Sequence, residues 1–243
     1  MQDRFVGDIG DFAKYGLLRA LSQGRRLGVA WYLMPDEAHT NSGNRLKYLE
    51  RPDLWRGKDP ALFDVISEVT SNCGRTVKAI ERSGILGETI FSSERLETKK
   101  TKSEDVTEFR RGWFRRTVET LSGCDIVFAD PDNGIGRDDR FKPSQRTSWK
   151  SIPWSEAAYL TADRVGIVYH HNSRFKGGHR EEIAHWMKQL PACSAAVHWR
   201  RESPRTFFVF NADTLTSERL QDFEANWQGS CSVIWNSRNK QEV

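Results

Sequence analysis

Two acids separated by one residue, Asp130 and Asp132, follow the apolar stretch Asp125–Ile126–Val127–Phe128–Ala129 and lead into Asn133–Gly134–Ile135–Gly136. Pro131 removes a backbone donor and stops a strand, and the glycines permit backbone conformations close to a ligand. In an extended segment the two carboxylates face the same side. Paired carboxylates hold Mg²⁺ or Mn²⁺ with retained waters, or shift each other's pKa for acid–base work. The same residues also make an ordinary acidic turn in which Asp130 and Asn133 cap a loop.

A second polar group ends another apolar run: Tyr169–His170–His171–Asn172–Ser173–Arg174. His170 and His171 project oppositely if extended, so one reaches a site while the other packs. A histidine there moves protons near neutral pH. Arg174 and Lys176, before Gly177–Gly178, suit phosphate contacts and equally suit a solvated loop. Lys14 lies on the polar face of a helix behind Asp8 and Asp11, an arrangement that also describes a capped helix with a surface ion pair worth under about 1 kcal/mol. Asp36 and Glu37 end a further apolar run and are able to receive hydroxyl or ammonium groups.

These residues need elements to hold them. Ile9, Phe12, Ala13, Leu17, Ala20 and Leu21 recur at helical spacing and predict a helix over 9–22. Helices are expected over 60–71, 75–83, 104–122, 154–160, 179–190 and 216–227. Strands are expected at Val29–Met34, Asp125–Ala129, Val165–Tyr169, Ala195–Trp199, Thr206–Phe210 and Cys231–Trp235. Thr40–Arg45 reads as a loop, 95–102 as a polar linker, and 137–153 as irregular. Strands alternating with helices imply a mostly parallel sheet covered on both faces, with the last aromatic strands forming an antiparallel edge. One α/β domain over 1–243 is expected, with a helical and polar insertion at about 38–122.

With 29% charged and 37% hydrophobic residues, the 243-residue chain reads as a soluble protein with a real core. No apolar run approaches the roughly 20 residues of a bilayer span, and the first residues lack a secretory pattern, so a cytoplasmic location and no membrane partner are expected. Cys73, Cys124, Cys193 and Cys231 are too far apart for a zinc turn and too few for a disulfide framework, which leaves free thiols. The net charge of +4 is mild. Lys99, Lys100, Lys102, Arg110, Arg111, Arg115 and Arg116, with Trp113 and Phe114 among them, suit a nucleic-acid backbone, RNA or DNA. Glu104, Asp105, Glu108 and Glu119 dilute that run toward a solvated helix face.

In order and spacing, Phe5, Gly7–Asp8, Gly10–Asp11, Lys14–Tyr15, Arg82–Ser83–Gly84, Phe91–Ser92–Ser93 and Asp130–Pro131 are together similar to the bacterial 23S ribosomal RNA adenine-N6 methyltransferases, a branch of the class I S-adenosylmethionine-dependent enzymes. Asp132 and Asn133 stand where that family has proline and an aromatic, and Pro35–Asp36–Glu37 stands where it has a glycine-rich turn. No counterpart of its second strand is evident between Phe91 and Cys124. The resemblance implies a class I methyltransferase-like (Rossmann-like) three-layer sandwich. It also implies methyl transfer to an adenine amine, with Asp130 accepting the amine's hydrogen bond and Lys14, Tyr15, Asp36 and Ser93 on the cofactor side. Two alternatives stay open on the same scaffold. One is a phosphodiesterase with a metal on Asp130 and Asp132; the other is a non-catalytic binding module.

Overall fold

The computed structural model describes residues 1–36 and 43–237. Glu37 and part of the expected Thr40–Arg45 loop lie outside the described residues. The elements in chain order are α1 (Ile9–Ser22), β1 (Leu27–Ala30), α2 (Pro52–Trp55), α3 (Pro60–Glu68), α4 (Val77–Arg82), β2 (Ile90–Ser92), α5 (Ser103–Thr120) and β3 (Ile126–Ala129). They continue with β4 (Gly134–Gly136), β5 (Ser151–Pro153), α6 (Trp154–Leu160), β6 (Val165–His171), α7 (His179–Gln189), β7 (Cys193–Trp199), β8 (Arg205–Phe210), α8 (Thr214–Asn226) and β9 (Cys231–Trp235).

Seven strands form one sheet in the order β2-β1-β3-β6-β8-β7-β9. β2, β1, β3 and β6 run parallel, whereas β8 is antiparallel to both of its neighbours and β9 is antiparallel to β7. The expected α/β class and mostly parallel sheet are therefore present. The carboxyl-terminal antiparallel region is broader than an edge, because β8 is interior.

Strand residues alternate between two cores, as a pleat of period two requires. Val29, Ile126, Phe128, Ile167, Val197 and Phe207 pack with α1, α3, α4 and α8. Ala30, Val127, Ala129, Val168, Ala196 and Phe208 pack with α5, α6 and α7. The result is three layers, an arrangement compatible with a Rossmann-like fold. Local chemistry starts the helices. The side chains of Asp8, Asp59, Thr76 and Asp213 cap α1, α3, α4 and α8. Gly16 lets α1 approach α8, since a Cβ there would lie 2.5 Å from the Trp227 ring.

Three expectations change. The strand read at Val29–Met34 covers Leu27–Ala30. Beyond Ala30 the backbone bonds to other segments: Trp31 N–H donates to Ser92 O, Met34 N–H to Met1 O, and Leu33 O accepts from Leu96 N–H. The stretch 38–122, expected as an insertion, contributes β2 to the main sheet in register with β1. Within the stretch read as irregular, β5 pairs in parallel with β4, directly after the Asp130–Asn133 turn. The four cysteines are free, with Cys73 exposed and Cys124, Cys193 and Cys231 buried. Among the described residues no helix is long and apolar enough to cross a membrane.

Candidate functional site

The chain leaves β1 for β2 on one side and returns to β3 on the other, so the strand order reverses between β1 and β3. Open α/β sheets bind ligands at the carboxyl ends of the strands at such a point. Lys14 and Asp130 meet here, 116 positions apart in the chain. Lys14 Nζ lies 2.8 Å from Asp130 Oδ2 and 2.7 Å from Asp11 Oδ1. All three residues are buried. The α1 register creates half of this group, because Asp11 and Lys14 are three residues apart on one helix face. Tyr15 donates to Asp11 Oδ2 at 3.1 Å, and Gly7 N–H donates to the same oxygen. Lys14 also lies over the Tyr15 and Trp31 rings.

Burial pushes the Asp11 carboxyl up, against the pull of Lys14. For Lys14, burial favours the neutral amine, but Asp11 and Asp130 outweigh it and raise its pKa, so it stays charged. Lys14 is therefore a fixed cation and not a proton acceptor. Asp130 Oδ1, by contrast, accepts no hydrogen bond among the described residues.

Asp130 and Asp132 both line a cavity of about 560 Å³, together with Phe5, Asp8, Asp11, Lys14, Arg45, Asn133, Tyr169, His171 and Arg205. Their carboxylates face different cations. Asp132 Oδ1 is 2.6 Å from the Met1 ammonium, and Oδ2 accepts from Gln2 at 2.6 Å. Burial raises the Asp132 carboxyl, yet the ammonium and the amide overcome that and hold it below the ordinary range. Met1 N also donates to Tyr32 O and Asp130 O, bridging the chain after β1 to the chain after β3.

His170 and His171 divide as the alternation predicted, although β6 runs through both. His171 lines the cavity, and its Nδ1 lies 3.2 Å from the Tyr169 hydroxyl. His170 is buried, and its Nδ1 accepts from Ile135 N–H at 3.2 Å. Its Nε2 then carries the hydrogen toward Glu182 Oε1, 3.3 Å away. Glu182 also accepts from Asn172 and from the Ser173 amide and hydroxyl. Burial raises the Glu182 carboxyl, but these donors dominate and bring it down to about 2. His170 thus anchors the backbone after the Asp130–Asn133 turn. Gly134 is required there: its φ is +85°, and a Cβ would stand 2.4 Å from His170 Cα.

No family model matches this chain, and no curated protein matches it.

The residues expected on the cofactor side do not converge. Lys14 reaches the cavity; Tyr15 is buried against Asp11, and Asp36 is exposed and accepts from Arg4 N–H at 3.2 Å. Ser93 is exposed and donates to Glu81, which also accepts from Trp31. Beside β2 the first residues cover the sheet's carboxyl end, with Asp3 accepting from Val77 N–H and paired with Arg95. In this arrangement the residues do not fit S-adenosylmethionine over β1 and β2. Nor do Asp130 and Asp132 fit a divalent cation, since each carboxylate already faces a positive group. Among the described residues no cluster of three or more His, Cys, Asp or Glu is placed to hold a metal ion.

Arg174 and Lys176 are exposed on the loop after β6 and do not line the cavity. Sequence reasoning misses Arg45, Tyr169 and Glu182 as parts of the site or its support, and marks Arg205 only as part of a basic turn with Arg200 and Arg201 beside the strand Thr206–Phe210. Tyr169 stood in a flagged segment, beside His170. Arg45 and Glu182 come from distant elements, and nothing local marks them.

Proposed function

We propose that this chain acts on nucleic acid, and that its methyltransferase-like α/β scaffold presents Asp130 Oδ1 to the exocyclic amine of a base, adenine foremost. The observation that carries this reading is the meeting of Lys14 with Asp130 at the switch point, where Asp130 lines the cavity and its second carboxylate oxygen accepts no hydrogen bond among the described residues. Both are among the five residues, with Tyr15, Asp36 and Ser93, that the resemblance to adenine-N6 methyltransferases puts in the site. A buried ion pair contributes little net stability compared with apolar packing. Charged groups gathered at a cleft are more often there for chemistry or recognition.

Lys14 holds Asp130 Oδ2 and so orients the carboxylate, whose other oxygen is an acceptor for an N–H donor. The cavity is within the size range of small-molecule sites, and one unstacked base fits it. Phe5 and Tyr169 provide aromatic faces beside that space, and stacking is the sequence-tolerant part of base binding. No transfer step is assigned, because the residues do not fit the methyl donor as arranged.

The test is calorimetry with a short single-stranded oligonucleotide carrying one central adenine, against the same strand carrying purine, which lacks the amine. A hydrogen bond to a charged group contributes about 1.5–3 kcal/mol, so the purine strand is expected to bind at least about tenfold more weakly. Equal affinities would remove Asp130 as the amine acceptor. Titration with S-adenosylmethionine in the same instrument is expected to give no heat of binding, and saturable binding would overturn the stated misfit.

A further inference from the structure

The cavity is lined by two arginines and a histidine as well as by the acids around Asp130. His171 and Arg205 are direct partners across the β6–β8 ladder. Arg45, from the segment after the first helix-strand unit, reaches across to donate to Glu202 O, three residues before Arg205. All three side chains line the same cavity. Arg205 is only 7% exposed, and although burial disfavours its charge, Asp8, Tyr169, Asp11 and Asp130 together outweigh that and keep it cationic. Its Nε donates to Ser203 O at 3.1 Å, and its nearest carboxylate, Asp8 Oδ1, lies 3.6 Å from one terminal nitrogen. That same Asp8 oxygen already accepts from the Gly10 and Asp11 amides.

The chain makes room for this guanidinium. A Cβ at Gly10 would fall 1.4 Å from an Arg205 terminal nitrogen, so no larger residue at position 10 leaves Arg205 where it is. Burial lowers the pKa of His171, and the positive fields of Arg205 and Arg45 add to that effect. Two guanidiniums and one imidazole lining the same cavity offer donors to an oxyanion. The planar fork of arginine suits phosphate oxygens in particular.

We infer that Arg45, His171 and Arg205 hold the phosphate of the nucleotide whose base amine reaches Asp130, so that the ligand is an adenine nucleotide unit, free or within a strand. This rests on the reading of Asp130 given above and adds the second recognised group.

Calorimetry with adenosine, adenosine 5′-monophosphate, the adenylyl-adenosine dinucleotide and purine riboside separates the two. The monophosphate or the dinucleotide is expected to bind at least about tenfold more tightly than adenosine, as charge-assisted contacts to phosphate would give. Tighter binding of the monophosphate identifies a free nucleotide, and tighter binding of the dinucleotide identifies a strand; both sustain the proposal. Equal binding of adenosine and both phosphorylated ligands overturns it, and leaves the amine reading intact if purine riboside still binds more weakly than adenosine. Arg45 is exposed, so Arg45→Ala is expected to fold normally and to remove most of the difference in affinity between the phosphorylated ligands and adenosine. Gly10→Ala, which displaces the Arg205 head group and keeps its charge, is expected to do the same. Retention of the full advantage in both variants also overturns the assignment.

Discussion

Lys14 is the residue on which the site's electrostatics turn. Replacing it with methionine preserves length and burial but leaves Asp11 and Asp130 facing each other without their cation. Breaking a buried pair in this way costs about 3–5 kcal/mol, so Lys14→Met is expected to lower the urea midpoint strongly. A loss under about 1 kcal/mol would show that the group is solvated in solution. Gly134→Ala tests the turn rather than the charge. Its positive φ and the contact with His170 backbone together predict a loss of about 1–3 kcal/mol, measured by the same melts. Lys14 and Asp130 were legible from the chain because each sits in a recognisable local pattern. Arg205 was legible only as one cation of a basic turn, because its place in the site depends on the missing side chain of Gly10 and on the register between β6 and β8.

At the level of elements, periodicity was the dependable signal and short strands were the weak one. α1, α5, α7 and α8 carry long apolar stripes and fall close to their expected bounds. β2 has three residues, one of them exposed and one half-buried, so nothing in its pattern distinguishes it from a loop. It becomes a strand because Gly28–Ala30 offers a free ladder edge. The link from α7 to the site is likewise invisible in one dimension: Glu182 on the helix, His170 on β6, and the amide of Ile135 on β4. Because the folded Glu182 carboxyl sits at about 2, below its ordinary 4.5, its stabilising contribution is present above that ordinary value. It is lost as pH falls from about 4.5 toward 2. Glu182→Gln is expected to flatten the melting profile over that window. An unchanged profile would mean that other carboxylates dominate acid unfolding.

For the molecule as a whole, the class, the parallel core and its two-faced covering followed from strands alternating with helices. The broader antiparallel region did not, since the two aromatic strands gave no hint that β8 inserts between β6 and β7. A second titration belongs to this scale. His198, buried on β7, has its pKa lowered to about 4 by burial and by the nearby His179, Arg200 and Arg180. A histidine held neutral in the fold stabilises above its ordinary pKa of 6.5, and that stability drains away as pH falls from about 6.5 to 4. Thermal melts are therefore expected to weaken by about 1–3 kcal/mol across this range, and His198→Gln should abolish most of the slope.

The four cysteines divide the molecule into what solvent reaches and what it does not. Cys73 ends the π turn after α3 and is exposed, whereas Cys193 and Cys231 lie in β7 and β9, with burial pushing both up to about 12. Cys124 is packed beneath Gly28 of β1 and is also shifted upward by burial. A disulfide reagent at neutral pH should accordingly take one equivalent at once and the remaining three only as the strands part. The slow phase would then clock the opening of the sheet from both of its sides, with no dye or tag introduced.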